Sequence, residues 1–483
     1  MKSDEVGRGR FAIKSATAYY KRRYSVMKKY GIENFEERLA NAREAREKMR
    51  AEKFAAAAKV IGDEGARALS ELYELYGDEM YLFYARLWDG ESGGFYYSTS
   101  AMETEGYLPD IESTVQALRS LSNCGIFPAY YDVATPEWMR EKLIRFAQSL
   151  FDPEDGYVYH PQWGYNISPN RRGRDLNWAT GMLKNFGANA PCPTAYERLE
   201  NAAKSDGKEA EANTAMLPEH LRSVEAFREY LQGFTNPDEK YCISKYSYGL
   251  FNLLSAQQSQ IFSAGDEFKE ALFEFIEAHQ REDNGLYQDV ISYGTVNGLM
   301  KATLIYTGAN RPFPNAVAAL KSAIEVANTK EIPPHVCCFY NPIITINNLL
   351  RNIAKFGDKS VVDETRAELV RLCPSLIRGT RDKVALFKKA DGGFSFYKDH
   401  TSVASQGAPA AVDNFAEGDI NATSISSTGV VTNLSAVLGI KVIPLFCRED
   451  GEIFLDLIKN AEPIVKTEPI PEKLAGRSKE RQY

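Results

Sequence analysis

A unit repeated four times constrains this chain more than its composition does. The fullest copy runs from Trp88 to Leu121. A turn at Asp89-Gly90 and Gly93-Gly94 leads into Phe95-Tyr96-Tyr97, and a polar loop follows from Ser98 to Gly106. A helix then opens at Pro109-Asp110, with Ile111, Val115, Leu118 and Leu121 at helical spacing. Pro pre-sets φ and Asp accepts the first free amide protons, which makes a good helix start. The pattern returns at Asp155-Gly156-Tyr157, at Asp283-Asn284-Gly285-Leu286-Tyr287 and at Asp391-Gly392-Gly393-Phe394. Helices are expected after them at Arg174 to Phe186, at Val290 to Tyr306 and at Asp419 to Leu438. Repetition at this scale means units that bury their apolar faces only by stacking on one another.

The helices between and after these turns fall into two classes. One is amphipathic with a charged face: Pro136 to Leu150, Leu217 to Phe234, Phe268 to His279, Ala316 to Asn328 and Val361 to Leu372. The other is poor in charge and rich in small residues: Asp110 to Leu121, Asp175 to Phe186, Ile243 to Gln258, Val290 to Tyr306, Cys338 to Ile353 and Asp419 to Leu438. A helix without a polar face is buried all round. The classes alternate, and with Glu64 to Tyr84 opening the series they make six outer–inner pairs. The expected fold is all-α, an (α/α)6 toroid of six helical hairpins over residues 61–458. Closure removes the exposed ends that an open solenoid must cap.

Residues 1–60 differ in kind, with sixteen Lys/Arg against eight Asp/Glu in a chain of net charge −7. Arg38 to Lys59 alternates charge with Ala and reads as a basic helical arm on an acidic body. It has few of the aromatic and apolar positions that nucleic-acid or membrane contact would need. Residues 459–483, with Pro463, Pro469 and Pro471 among charges, read as a flexible tail. Seven Cys without a paired pattern point to a reducing compartment. No apolar leader or membrane span is evident, so the expected location is cytoplasmic.

In such a toroid all inner helices start at one end. Their first turns gather Asp110, Glu112, Asp175, Asn177, Trp178, Tyr246, Asp289, Tyr293, Asn297, Tyr340, Asn341, Asp419 and Asn421. Helix starts carry partial positive charge and free N–H groups, which makes a polar, anion-tolerant mouth.

The unit Asp-Gly-Gly-Phe, loop, Asp-Ile-Glu-Ser-Thr-Val-Gln-Ala-Leu resembles the repeat of the terpenoid cyclase and protein prenyltransferase toroids, over roughly Ala66 to Gly439. The resemblance implies the toroid. The chemical signatures of those families are not matched. Gly418-Asp419-Ile420-Asn421 lacks the carboxylates of the Asp-x-Asp-Asp acid motif, and there is no Asp…Cys…His zinc set. Six-hairpin glycosidases and α/α-toroid polysaccharide lyases share the architecture more loosely. Shared architecture does not establish function.

The densest local chemistry is His160-Pro161-Gln162-Trp163-Gly164, then Arg171-Arg172-Gly173-Arg174-Asp175-Leu176-Asn177-Trp178. Arg suits bidentate recognition of carboxylate or phosphate, and Trp offers a flat face. These Arg side chains either bind a substrate anion or pair with acidic neighbours and hold loops together. Asp110, Glu112, Asp175 and Asp419 supply either an acid/base set or helix caps. The leading expectation is a carbohydrate-active enzyme, a hydrolase or lyase, on an acidic oligosaccharide. Asp110 or Asp175 would be acid or base, with His160 and Tyr293 as proton-transfer partners. Arg172 and Arg174 would meet the substrate carboxylate, Arg171 would also be substrate-binding, and Trp163 and Trp178 would be stacking platforms. Glu112, Asn297, Tyr340, Asp419 and Asn421 would line the site. No His pair has metal-ligand spacing, and no metal or other cofactor is expected. The alternatives are an isoprenoid-diphosphate enzyme, and a non-catalytic toroid that binds a partner. Oligomeric state is not readable from the chain.

Overall fold

The computed structural model describes residues 34–204, 218–235, 247–413 and 415–475. The first part of the basic arm, Tyr246 and the end of the tail lie outside the described residues. The described chain is mostly helical, and its strands are two-residue pairs: β1 (Trp88–Asp89) with β2 (Gly94–Phe95), and β3 (Ala404–Ser405) with β4 (Ala408–Pro409). It opens with α1 (Phe35–Tyr73) and α2 (Asp78–Leu87). Then come α3 (Ile111–Asn123), α4 (Glu137–Gln148), α5 (Pro169–Asn185), α6 (Ala195–Lys204) and α7 (Val224–Gln232). The middle holds α8 (Ser247–Ala264), α9 (Asp266–Ala278), α10 (Tyr293–Ala309) and α11 (Ala316–Asn328). Next are α12 (Val336–Phe356), α13 (Lys359–Ala385), α14 (Ile420–Ser424), a π turn (Ile425–Gly429), α15 (Val430–Leu438) and α16 (Arg448–Lys459). No described helix is long and apolar enough to cross a membrane.

The low-charge helices pack in chain order. Helix α3 touches α5, α5 touches α8, α8 touches α10, and α10 touches α12. Helix α12 then touches α15, and α14 returns to α3, so the contacts close a cycle. Small residues allow the approach: a Cβ at Gly298 of α10 would lie 2.2 Å from Ser247 Oγ of α8. The amphipathic helices flank this cycle, α4 on α5, α9 on α8, α11 on α12, and α13 on both α12 and α1.

The repeated unit explains the order. One Gly in each turn has positive φ, and its backbone is pressed against the next flanking helix: Gly93 on Lys142 of α4, Gly156 on Ala195 of α6, and Gly285 on Ala319 of α11. The fourth, Gly392, lies on Glu79 of α2. The last turn thus docks on the first flanking helix. In the first and fourth copies the aromatic's amide donates to a Thr one turn inside the helix, Phe95 N to Thr114 Oγ1 at 3.0 Å and Phe394 N to Thr423 Oγ1 at 2.9 Å. The Asp four residues earlier caps the same helix: Asp110 accepts from Ser113 N at 3.0 Å, and Asp419 from Ala422 N at 2.7 Å. Turn, aromatic and helix start are therefore one hydrogen-bonded block.

Three helix starts differ from expectation, and the simplest is α7, which begins at Val224 behind a Ser223 cap rather than at Leu217. Helix α5 begins at Pro169, because Ser168 caps it through Arg171 N at 3.1 Å and Pro fits the first position. Asp175 therefore lies inside the helix rather than at its cap. Helix α10 begins at Tyr293 behind the Ser292/Thr295 capping box, which leaves Asp289 in the preceding loop. Helix α1 crosses residue 60 and breaks only at Gly62, where φ is 72°. It places Leu39, Ala42 and Arg46 in the interior, where Arg46 bridges Asp78 and Asp450. Beyond α16, Thr467 N and Glu468 N donate to Glu103 O at 2.8 and 3.0 Å.

Candidate functional site

The starts of the low-charge helices meet at one end, and their polar side chains sort into two groups. The first group is buried behind α3 and α5. Moving the start of α5 back to Pro169 puts Arg171 and Arg174 three apart on one helical face, with Arg171 and Asp175 four apart. Arg171 is fully buried and donates to three carboxylates: Nη2 to Asp110 at 3.0 Å, Nη1 to Glu112 at 3.2 Å and Nε to Asp175 at 2.9 Å. Its guanidinium carbon lies 4.3 Å from the Trp163 ring centroid. Trp163 is held in turn by Nε1 to Pro409 O at 2.8 Å. His160 is buried beside it, with Nε2 2.6 Å from Pro109 O and Nδ1 accepting from Gln162 N at 3.2 Å. These partners select the neutral Nε2–H tautomer.

Three carboxylates around one Arg divide unevenly. Burial pushes Asp175 up to about 7 despite Arg171, whereas for Glu112 the charges of Arg174 and Arg171 outweigh burial and hold it below its ordinary value. One Asp175 oxygen, Oδ1, lies 2.9 Å from Arg171 Nη2 but has no well-aligned hydrogen bond. Asp175 thus takes a proton before Glu112 does, and Arg171 stays charged.

The second group lies inside the cycle. Arg174 forms a two-pronged pair with Glu112, through Nε at 3.3 Å and through Nη2, and keeps 16% of its side chain exposed. Gln116 donates to Glu112 at 3.0 Å and to Asn421 at 3.2 Å, which ties α3 to α14. Facing them is Lys301 of α10, whose Nζ stands 5.8 Å from the Tyr248 ring centroid. Lys301 lies deep among side chains yet keeps part of its surface open. Burial, then Arg174, lowers Lys301 to about 7 against the opposing pull of Cys337 and Glu112. Cys337 neighbours Tyr340, and burial pushes both up to about 12.

The structure brings Asp110, Glu112, Trp163, Arg171, Arg174 and Asp175 into contact, with His160 close by and Asn421 joined through Gln116. Other expected residues lie elsewhere. Arg172 turns away, 4.7 Å over the Tyr157 ring. Tyr293 donates to Glu331 O at 3.0 Å, and Asn297 accepts from Asn341 at 3.0 Å. Trp178 stacks under Arg119 at 4.5 Å. Asp419 caps α14 and also receives Phe396 N at 3.0 Å, and burial pushes it up to about 6. Among the described residues no group of three or more His, Cys, Asp or Glu could hold a metal ion.

Sequence reasoning missed Lys301, Tyr248, Cys337 and Gln116. The signal for Lys301 was present: it is the one charged residue in Tyr293–Ala309. A lone charge in a helix otherwise suited to burial has either a partner or a task. The arrangement as a whole is a mostly helical protein whose low-charge helices carry Arg174, Lys301, tyrosines and side-chain amides near one another. No family model, curated protein or solved structure matches the chain.

Proposed function

We propose that the chain is an (α/α)6 toroid of the terpenoid cyclase-like kind, acting as a cytoplasmic carbohydrate-active enzyme on an acidic oligosaccharide. The substrate carboxylate sits on Arg174 beside Lys301, within the cycle of inner helices. The closed order of helix contacts supports the architecture, and the return of Gly392 to α2 does so independently. The observation that carries the functional reading is Arg174: paired to Glu112 on one edge, partly exposed, with Nη1 left without a hydrogen-bond partner among the described residues. A guanidinium so placed is oriented to receive a second carboxylate. Tyr248 and Tyr340 supply flat faces, and Gln116 and Asn421 supply amides for hydroxyl groups.

Within this reading Arg171 is a structural cation and Asp110 a cap. Asp175 is too enclosed to touch substrate, so proton transfer falls to groups inside the cycle. The test is thermal stabilisation of the purified protein by saturated and unsaturated uronate oligosaccharides, with farnesyl and geranylgeranyl diphosphate in parallel. A ligand that binds only the native state raises the melting temperature by mass action. Stabilisation by uronates that is lost in Arg174→Gln supports the reading. Stabilisation by diphosphates alone replaces it with the isoprenoid reading. Silence from both favours a toroid that binds a protein partner.

A further inference from the structure

The amine of Lys301 is placed as a nucleophile as well as a cation. Among the described residues it makes no hydrogen bond and no ion pair, and its contact is the face of Tyr248. The other partly buried lysines of the described chain are engaged, among them Lys142 with Gly90 O, Lys388 with Glu79, and Lys466 with Ala101 O and Tyr107 O. Lys301 instead lies near enough to Arg174 and Glu112 to feel both charges, and Glu112 is already held by Arg174, Arg171 and Gln116. A desolvated lysine beside a fixed cation is the arrangement that keeps an amine neutral and reactive near pH 7. The neighbouring thiol does not compete, because burial pushes Cys337 up to about 12.

We propose that Lys301 captures the carbonyl carbon of an oxo acid as an imine, with the carboxylate of that acid on Arg174. The acid is a sugar acid with a free aldehyde or keto group, such as the open-chain reducing end of a uronate. This rests on the reading that Arg174 takes the substrate carboxylate. The Nζ lone pair forms the C–N bond and the carbonyl π pair moves to oxygen. The carbinolamine then loses that oxygen as water, with both amine protons accounted for, and leaves C=N. No oxidant or reductant takes part.

The experiment uses the full chain at neutral pH with glyoxylate, the smallest oxo acid, and sodium cyanoborohydride, which delivers hydride to the imine carbon and fixes it as a carboxymethyl amine. Peptide mass mapping reads the rate at each lysine. The expected result is modification of Lys301 more than about tenfold faster than exposed lysines such as Lys204, because an ordinary lysine is almost wholly protonated at pH 7. The Arg174→Gln variant should slow glyoxylate more than the neutral aldehyde glycolaldehyde, because it removes the partner of the carboxylate as well as a charge that helps keep Lys301 neutral. If Lys301 reacts no faster than Lys204, the proposal falls while uronate stabilisation still stands or fails by itself. If glycolaldehyde and glyoxylate react equally at Lys301 in the parent protein, Arg174 does not hold the carboxylate, and the proposal falls with the reading beneath it.

Discussion

Replacing Arg171 with Met should be among the most damaging single changes in the chain, and its cost should depend on pH. Arg171 has no exposed surface and meets Asp110, Glu112 and Asp175 at 3.0, 3.2 and 2.9 Å. Met approximates the packing of the stem but leaves three buried carboxylates with Arg174 as the nearest cation. Breaking a buried ion pair from one side costs about 3–5 kcal/mol. The pH dependence follows from Asp175. Its native pKa of about 7 lies above the ordinary carboxylate value, so between the two the native state holds more protons than the unfolded state. Stability attributable to Asp175 is therefore lost as pH rises through that window. Without Arg171 the upper edge of the window moves higher still. The penalty of Arg171→Met should accordingly be larger at pH 8 than at pH 5. Urea unfolding followed by circular dichroism at both pH values measures it. Adding Asp175→Leu should recover a large part of the loss. A loss below about 1 kcal/mol at pH 8 would fall outside the range for a broken buried pair and refute the reasoning; so would equal losses at the two pH values.

Four further outcomes follow from other parts of the molecule. Gly392→Ala must hold a Cβ at φ 94° and 2.0 Å from Glu79 O, so its unfolding free energy should drop by about 2 kcal/mol or more. Gly439→Ala, at φ 70° with open space around it, should cost only about 1 kcal/mol in the same assay. Thr423→Val leaves the buried Phe394 amide without its acceptor at 2.9 Å, an expected loss of about 1–3 kcal/mol in urea unfolding. Lys301→Met should stabilise the unliganded fold. The native amine titrates near 7, below its ordinary value, so the unfolded state binds the extra proton between the two and native stability climbs with pH there. The gain from Lys301→Met should therefore be largest near pH 6 and fade toward pH 10, as melting temperatures at both would show.

The helices were legible because their burial is written in composition. Tyr293–Ala309 and Ser247–Ala264 carry one charge between them, whereas Asp266–Ala278 carries a charged face. The turn aspartates were legible for the same local reason: Asp89 and Asp391 accept amides within their own turns. The start of α5 was misread because Asp175 has the chemistry of a cap, while the capping residue is Ser168, seven residues earlier and ahead of a Pro. That shift changed the site. With the helix starting only at Arg174, no two of the three Arg residues share a helical face, and nothing separates those that pair from those that bind. With the helix already under way, position decides: 171 and 174 share a face, and 172 is turned toward Tyr157.

The two Arg side chains that share that face nevertheless do different work, and depth separates them. Arg171 is surrounded by carboxylates on every donor-bearing side, so a further anion would have to displace one of them. Arg174 lies one turn further along α5, meets only Glu112, and retains exposed surface. Glu112 belongs to both, accepting from Arg171 on Oε2 and from Arg174 on Oε1. It therefore transmits the rigidity of the buried network to the partly exposed cation. A guanidinium fixed in this way loses little conformational freedom when a carboxylate arrives. The buried cluster positions the edge of the site and need not touch what binds there. On this account Glu112→Gln should weaken uronate stabilisation without removing any group that contacts the ligand, because it loosens Arg174 rather than replacing it.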